Sequence, residues 1–328
     1  MKNIGILTSG GDAPGMNAAI HAIVSTASFH QINCIGFERG YNGLIDNNYR
    51  KLNKYNTKHI SHLGGTILKS ARCSRMMEEQ GRMDAVNTMQ QLELDGLLVI
   101  GGDGSFRGAA ELNKITNIPI IGLPGTIDND IDGSDYTIGF FTAANTALDA
   151  IDKIRDTADA FERIFIVEVM GRHSGHLALE VGVAAEAEHI LCPEMKIEPQ
   201  QIVQNIVTHV NNYLSVNGDS SYIIVIAENT YNEGSEALAK MLTQQIGIET
   251  RASILGHIQR GGIASCLDRT LATKLGGFAV ESLVAGKNAV MAGEVNGKLC
   301  LTDLVKTGAG NKQPDVYLMN LYQKKLIL

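Results

Sequence analysis

The sequence lacks the features that mark secreted, membrane-spanning and zinc-scaffold proteins. Its five cysteines are odd in number and widely spaced, with no CxxC pair, which argues against a disulfide framework or a zinc site and favours reduced thiols. No apolar run is long enough to span a bilayer, and the first residues lack the charged, apolar and small-residue order of a signal peptide. These absences predict a cytoplasmic protein.

Excess positive charge is also absent. Lysine and arginine number 28 against 35 acidic residues, a net charge of -7, so neither a nucleic acid nor an anionic membrane is expected as a partner. Hydrophobic residues make up 44% and charged residues 19%, which is ordinary for a globular protein. No low-complexity linker or short repeat divides the 328 residues, so one large domain or two fused domains are expected.

What the chain does contain is one pattern, repeated. A short apolar run stops at a glycine-rich or polar turn, and a helical pattern follows. The runs are 4–7, 96–100, the run ending at Leu123, 164–170, 222–227 and 253–255, and helical patterns include 16–28, 83–92, 141–157 and 200–214. This alternation predicts an α/β fold of two doubly wound lobes with mainly parallel sheets, and an active site in the cleft between them.

The segment 122–133 carries the strongest chemical signal. Its apolar run ends in a Pro-Gly turn and then presents Thr126, Asp128 and Asp130. An extended backbone would put all three on one face. Carboxylates are costly to desolvate, so this set suits proton removal from an alcohol beside a metal-bound phosphate. The alternative is a hydrated acidic turn.

Two glycine loops also follow apolar runs. Gly10 and Gly11 would let backbone N–H groups approach an anion, although a sharp strand-to-helix turn explains them equally well. In 101–105, three glycines surround Asp103, whose carboxylate would reach a magnesium ion held by nucleotide phosphates, or cap the next helix. The second loop also occurs in NAD kinases and lipid kinases, so it indicates nucleotide phosphotransfer without naming a substrate.

Basic residues lie near the glycine turns. Arg72, Arg172 and Arg260 fit a substrate with two anionic groups, because guanidinium grips phosphate with a planar fork; isolated surface ion pairs are the alternative.

Three further candidates are weak on their own. His257 is more simply a structural hydrogen-bonding residue, and Met170 is more simply part of the core. Glu228, at the end of an apolar run, either binds sugar hydroxyls or caps the next helix.

Taken together, the segments 8–17, 101–105, 124–130, 170–172 and 256–262 closely resemble the bacterial ATP-dependent 6-phosphofructokinases over nearly the whole chain. The resemblance implies transfer of the ATP γ-phosphoryl group to the 1-hydroxyl of fructose 6-phosphate, with Mg²⁺, in a cytoplasmic homotetramer. It also implies a larger ATP-binding lobe of residues 1–139 and about 253–303, and a smaller fructose 6-phosphate-binding lobe of about 140–252 and 304–328.

The resemblance assigns a role to each matching residue. Asp128 matches the general base, Thr126 and Arg172 match groups that steady the transferred phosphoryl, and Asp130 joins Asp103 at the magnesium site. The ATP site is matched by Gly11, Arg72, Cys73, Gly102, Asp103, Gly104 and Ser105. Sugar-phosphate contacts are matched by Thr126, Asp128, Met170, Gly171, Arg172, Glu228, His257 and Arg260, with Arg163 and Arg251 reaching a neighbouring subunit's substrate.

Two glycines favour ATP as the donor. Pyrophosphate-dependent relatives carry an aspartate where this chain has Gly104 and a lysine where it has Gly125. Glycine at both positions leaves room for a nucleotide. A pyrophosphate-dependent or other sugar-phosphate kinase, and a non-catalytic nucleotide-sensing subunit, remain as alternatives.

The chain departs from the family's pattern at the effector pocket for ADP and phosphoenolpyruvate. Several positive charges of that pocket are absent, which predicts weak or absent control by both ligands, or a different effector. His21 and Ser25 stand where arginines are the pattern, Lys54 replaces another arginine, His59 replaces an aspartate, the basic run aligns with 217–221, and Arg155 and Glu188 are retained.

Overall fold

The computed structural model describes residues 1–217, 221–308 and 312–325. The chain divides into two compact units, and it passes from one to the other after residues 142, 259 and 312. Unit one comprises Met1–Thr142 and Arg260–Lys312, and unit two comprises Ala143–Gln259 and Gln313–Leu328. No described helix has the length and apolarity needed to cross a membrane. All five cysteines are free thiols.

Strands and helices alternate along most of the chain. The strands are β1 Asn3–Ser9, β2 Asn33–Phe37, β3 Tyr49–Leu52, β4 Gly96–Gly101, β5 Ile120–Pro124, β6 Ile164–Val169, β7 His189–Leu191, β8 Tyr222–Ala227, β9 Thr250–Ile254, β10 Val290–Val295 and β11 Lys298–Asp303. The helices are α1 Met16–Phe29, α2 Tyr41–Ile45, α3 Glu79–Gln91, α4 Asp103–Asn113, α5 Phe140–Phe161, α6 His176–Ala184, α7 Pro199–Asn217, α8 Ser235–Ile246, α9 Cys266–Val284, α10 Leu304–Thr307 and α11 Val316–Lys325.

Unit one contains a seven-stranded sheet in the order β11-β10-β5-β4-β1-β2-β3. The five inner strands are parallel, and β3 and β11 pair antiparallel at the edges. Ser9 pairs with Gly101, and Gly101 with Pro124, so the three central strands end at the same level. Their side chains are almost entirely buried, as expected for parallel strands covered on both faces. The turns that follow these strands therefore start side by side.

Unit two contains a four-stranded parallel sheet in the order β7-β8-β6-β9. Val169 pairs with Ala227, and Glu168 pairs with Ile254, so the turns after β6, β8 and β9 also begin at one edge. Its core joins buried aliphatic residues of β6 and β8 to residues of α7 and α8, such as Ile206 and Leu238. The predicted α/β fold with mainly parallel sheets is confirmed.

The second passage between the units falls later than the family resemblance implies. The predicted lobe boundary at about 253 lies inside β9, which pairs with β6 and so belongs with the smaller sheet. The chain enters unit one again at Arg260, after a 3-10 turn over Gly256–Arg260. The last segment of unit one continues to Lys312, beyond the predicted limit of 303.

Candidate active site

The turns after β1, β4 and β5 meet in unit one. A Cβ atom placed on Gly102 would lie 3.7 Å from the Cβ of Thr126. A Cβ atom placed on Gly10 would lie 3.6 Å from the Oγ of Ser105. The structure therefore brings the two glycine loops and the threonine of the acidic loop together at the carboxyl edge of the sheet.

The acidic loop is bent rather than extended. β5 ends at Pro124, and the expectation that an extended backbone aligns Thr126, Asp128 and Asp130 by alternation is wrong, because Asn129 takes a left-handed conformation with φ 52°. Thr126 and Asp128 still associate, since the Asp128 N–H donates to Oγ1 of Thr126 at 3.2 Å. Both side chains are buried, at 7% and 9% exposure. A turn therefore sets their geometry.

Buried polar side chains fix both ends of this loop. The carboxylate of Asp268 accepts hydrogen bonds from the backbone N–H groups of Gly139 at 2.8 Å and Thr142 at 2.7 Å. Asp268 belongs to the first turn of α9, and its own N–H donates to Ser265 Oγ at 3.2 Å. Thr137 donates its hydroxyl to the carbonyl of Thr126 at 2.7 Å. Sequence patterns gave no signal for Asp268, which is 126 residues from Thr142.

Asp103 does not cap α4. The capping position is Gly102, and Asp103 is the first helical residue. Its carboxylate accepts a hydrogen bond from Nη1 of Arg107 at 2.8 Å, and the same nitrogen donates to the carbonyl of Gly308 at 2.8 Å. Arg107 was missed by the sequence patterns, although its spacing of four residues from Asp103 places both on one helix face.

A cavity of about 280 Å³ opens beside the first glycine loop. Nη1 of Arg260 donates to the carbonyl of Asp12 at 2.9 Å, and a Cβ atom on Gly11 would lie only 2.5 Å from that nitrogen. Gly11 and Arg260 are therefore brought together, and the missing side chain makes room for the guanidinium. The cavity is lined by Gly10, Gly11, Asp12, Thr66, Lys69 and Ser70.

The remaining nucleotide candidates of unit one lie in a loop and in α4. Arg72 is exposed, and among the described residues no hydrogen bond or ion pair involves its guanidinium; its carbonyl accepts from Nδ2 of Asn42 at 3.3 Å. Cys73 is half-buried and packs against the core of unit one. Gly104 is the second residue of α4.

In unit two, Glu228 shapes the turn that follows β6. Its Oε1 accepts hydrogen bonds from the N–H groups of Gly171 at 3.2 Å and Arg172 at 2.7 Å. Nδ2 of Asn229 donates to the Arg172 carbonyl at 2.9 Å, and Arg172 has a left-handed φ of 59°. Glu228 does not cap α8, whose capping residue is Gly234. The structure therefore brings Gly171, Arg172 and Glu228 together.

Gln259 joins the turns after β6 and β9. Its fully buried side chain accepts from the Met170 N–H at 3.4 Å and donates to the Gly256 carbonyl at 3.0 Å. Met170 is itself buried, whereas His257 is exposed in the 3-10 turn. Gln259 lies within segment 256–262, but its role depends on contacts that no sequence pattern reveals.

Arg163 and Arg251 share one acidic partner. Glu249 accepts from Nε of Arg163 and from Nη2 of Arg251, both at 2.6 Å. Hydrogen bonding from Arg251, followed by the charges of both arginines, holds the pKa of the Glu249 carboxyl below its usual range. The Arg163 guanidinium also lies 4.6 Å from the ring centroid of Phe161. The two arginines are therefore adjacent in unit two.

The candidate effector residues make internal contacts. Nη1 of Arg155 bonds Oε1 of Glu188 at 3.0 Å, and Oε2 of Glu188 accepts from the Ile223 N–H at 2.7 Å. In unit one, Nδ1–H of His21 donates to the Thr57 carbonyl at 2.8 Å. Lys54 is exposed, as are Ser25 and His59. Of the predicted effector segment 217–221, residues 218–220 lie outside the described part of the chain.

Comparison with known proteins gives one consistent family. The family model described as phosphofructokinase matches residues 3–283. ATP-dependent 6-phosphofructokinase 1 of Thermus thermophilus is 46% identical over 323 residues, covering 98% of this chain and 99% of the relative. The ATP-dependent 6-phosphofructokinase of Halothermothrix orenii is 45% identical over 329 residues, covering 97% and 98%.

Solved structures agree with that result. Phosphofructokinase from Saccharomyces cerevisiae superposes with a TM-score of 0.90 at 30% identity; the match covers 99% of this chain and 50% of the yeast chain, so this chain spans half its length. A pyrophosphate-dependent phosphofructokinase from Marinobacter aquaeolei has a TM-score of 0.84 at 24% identity, covering 100% and 92%, which shows a shared fold.

Proposed function

The chain belongs to the phosphofructokinase family, and from that premise we propose that it transfers the ATP γ-phosphoryl group to the 1-hydroxyl of fructose 6-phosphate, giving fructose 1,6-bisphosphate and ADP. One observation carries most weight. The buried Thr126–Asp128 turn adjoins the Gly102 loop at the carboxyl edge of a parallel sheet, where ligands of such sheets bind.

In this mechanism Asp128 removes the proton of the attacking hydroxyl. Its carboxylate is buried, and the hydrogen bond from its own N–H to Thr126 fixes the turn that carries it. Negative charge builds up on the phosphoryl oxygens, so cationic groups contribute more stabilisation than the base. Thr126 and Arg172 are proposed to bind that phosphoryl group. Glu228 holds the turn that carries Arg172 by accepting hydrogen bonds from the N–H groups of Gly171 and Arg172.

Asp103 and Asp130 are the proposed ligands of Mg²⁺. The described residues contain no group of three or more His, Cys, Asp or Glu side chains suited to holding a metal. Magnesium needs only one or two protein carboxylates when phosphate oxygens supply the other ligands, so two aspartates would suffice. When bound, the ion neutralises charge on the β- and γ-phosphates. Arg107, which forms a hydrogen bond with Asp103, is proposed to contribute positive charge to the same phosphates.

The surroundings of two glycines support ATP over pyrophosphate. A Cβ atom on Gly125 would lie 2.9 Å from Cγ2 of Ile100 and 3.1 Å from Cε of Met16, so the lysine of pyrophosphate-dependent relatives does not fit this backbone. Gly104 has more space, its nearest contact being Nη2 of Arg107 at 3.6 Å. We assign the nucleotide site to Gly11, Arg72, Cys73, Gly102, Asp103, Gly104 and Ser105.

Sugar-phosphate recognition is assigned to the turns of unit two and to Arg260. The bonds from Gly171 and Arg172 to Oε1 of Glu228 leave the other carboxylate oxygen for a sugar hydroxyl. The same assignment covers Met170, Gly171, Arg172, His257 and Arg260. Arg163 and Arg251 are proposed to bind the substrate of an adjacent subunit in a homotetramer, which we expect to be cytoplasmic and free of nucleic-acid and membrane partners.

Control by ADP and phosphoenolpyruvate is proposed to be weak. The charge of Arg155 is already engaged by Glu188, and the His21 ring is engaged by a backbone carbonyl. Fructose 6-phosphate saturation curves with and without each ligand test this. Superimposable curves are expected, and large shifts at modest ligand concentrations would refute it.

A coupled assay of ADP release with fructose 6-phosphate and Mg-ATP tests the activity directly. Asp128→Asn should lower kcat by about two to four powers of ten, because a positioned general base is lost. The matched control, Asp159→Asn on the exposed side of α5, should leave kcat unchanged. Activity only with pyrophosphate would favour the other donor class. A wild-type protein that binds nucleotide without turnover would indicate a sensing subunit.

A further inference from the structure

Lys312 places its ammonium group against the acidic loop that follows β5. Its Nζ donates to Oδ1 of Asn129 at 3.0 Å and also to the carbonyl of Asp135. The nitrogen lies 6.0 Å from the ring centroid of Tyr136. Lys312 is half-buried and is the last residue of unit one. A residue distant in sequence thus bonds both halves of one loop.

The loop has no positive charge of its own. Segment 124–140 contains four aspartates and neither lysine nor arginine. The carboxylates of Asp130, Asp132 and Asp135 all attract the ammonium group of Lys312 electrostatically. Like charges so close together repel one another, and a neighbouring cation opposes that repulsion. Lys312 is therefore placed where its charge opposes repulsion among the carboxylates of this loop.

Asn129 is the point at which Lys312 acts. Its side chain is 4% exposed, its backbone is left-handed, and it stands between the proposed base and the proposed metal ligand. Oδ1 accepts from the Thr137 N–H at 3.0 Å as well as from Lys312, and Nδ2 donates to the Asp135 carbonyl at 3.5 Å. Whatever orients Asn129 also orients its two neighbours along the chain.

We propose that Lys312 is a positioning residue for phosphoryl transfer, which holds Asn129 and, through it, the carboxylates of Asp128 and Asp130. The inference rests on the proposed function. Lys312 bonds atoms of the loop in this structure. Its removal should therefore lower kcat, whereas removal of a substrate-binding cation would raise KM.

Steady-state kinetics of three variants test the inference. Lys312→Met keeps the length of the side chain but removes its charge and its hydrogen bonds to the loop. We expect kcat to fall about 10- to 100-fold, the range that the loss of a charge-assisted hydrogen bond produces. KM for both substrates should stay within about twofold. Lys312→Arg should recover most of the loss. The control, Lys306→Met on α10, removes an exposed lysine and should behave as wild type.

Two further measurements separate positioning from general stability. Amide hydrogen exchange across 126–137 should be faster in Lys312→Met than in wild type or Lys306→Met, while exchange in β1 and β4 stays the same. Adding Lys312→Met to Asn129→Ala should lower kcat no further, because the two residues act in series.

The outcomes are distinguishable from failure of the proposed function. If wild type releases no ADP with fructose 6-phosphate, the proposed function is wrong, and hydrogen exchange still decides whether Lys312 orders the loop. If wild type is active and Lys312→Met retains its kcat, or shows unchanged exchange in 126–137, the positioning role is overturned. A rise in KM without loss of kcat overturns it as well.

Discussion

Acid should destabilise this protein through one buried histidine, His189. It lies in β7 with 4% exposure, and its ring packs edge-on against His209 at 5.7 Å and Tyr322 at 6.5 Å between centroids. Its buried Nδ1 has no hydrogen-bond partner among the described residues. Burial and the neighbouring His209 therefore favour a neutral ring over an imidazolium at this site.

The magnitude follows from the pKa. Burial, with a smaller contribution from His209, lowers the pKa of His189 from 6.5 to about 3. The folded-state pKa of His189 is below its unfolded-state pKa. The free energy of unfolding therefore has its full value above pH 6.5 and decreases as the pH falls toward 3. Each pH unit in that window removes about 1.4 kcal/mol, so acidification from about pH 7.5 to about pH 5 should remove about 2 kcal/mol of unfolding free energy.

The assay compares wild type with His189→Phe, which keeps an aromatic ring and cannot take up a proton. Urea unfolding should be followed by circular dichroism at both pH values and one protein concentration, since the chain has no tryptophan to report by fluorescence. The free energy of unfolding of His189→Phe, relative to that of wild type, should be about 2 kcal/mol higher at the lower pH than at the higher pH. His30→Gln, which removes an exposed histidine, should show no such growth. Equal pH dependence in wild type and His189→Phe would refute the reasoning.

Three other substitutions have defined outcomes. Gly11→Ala should raise the KM for fructose 6-phosphate about tenfold with an unchanged melting temperature, because the new Cβ displaces the Arg260 guanidinium. Unchanged steady-state constants would contradict this. Asp268→Asn should lower the unfolding free energy by about 1–3 kcal/mol in urea titrations, because its carboxylate accepts from two backbone amides at 2.8 and 2.7 Å; a loss no greater than that of an exposed Asp→Asn change counts against it. Gly104→Asp should fold normally, with its carboxylate near Arg107, yet lose kcat/KM for ATP because it repels the α-phosphate; intact ATP kinetics would defeat the donor argument.

The strands that carry the site are predictable from sequence, whereas two short edge strands, β3 and β7, are not. β1, β4, β5, β6 and β8 are buried apolar runs that stop at glycine or polar turns, which is a strong local signal. β3 has the sequence Tyr-Arg-Lys-Leu and is mostly exposed, and β7 has three residues. β3 gains its structure from the free backbone groups of its partner strand, so its own sequence needs little apolar character, whereas β7 is buried but too short to give a periodic signal.

The same contrast holds within the site. Residues at strand ends are predictable because parallel strands in register bring their ends together, and Thr126 beside Gly102 is an example. The bend at Asn129 and its contact with Lys312, 183 residues away, are set by the folded structure. Local periodicity therefore predicts which chemical groups gather, but it contains no information about distant partners that orient them.

The partners of the arginines bear on which anions they are free to bind. Arg251 is paired with Glu249 at the surface, with 56% and 45% of the side chains exposed. Such exposed pairs contribute little, so under the proposed function a phosphate would replace the carboxylate at small cost. Arg155 and Glu188 are only 27% and 13% exposed, and Glu188 also accepts from the backbone of β8. An anion at Arg155 must break a shielded pair and leave a buried carboxylate with one partner fewer. The carboxylate that an anion must displace is therefore more exposed at Arg251 than at Arg155, and this difference in the cost of displacement is why we expect ADP to have little effect at the proposed effector arginine.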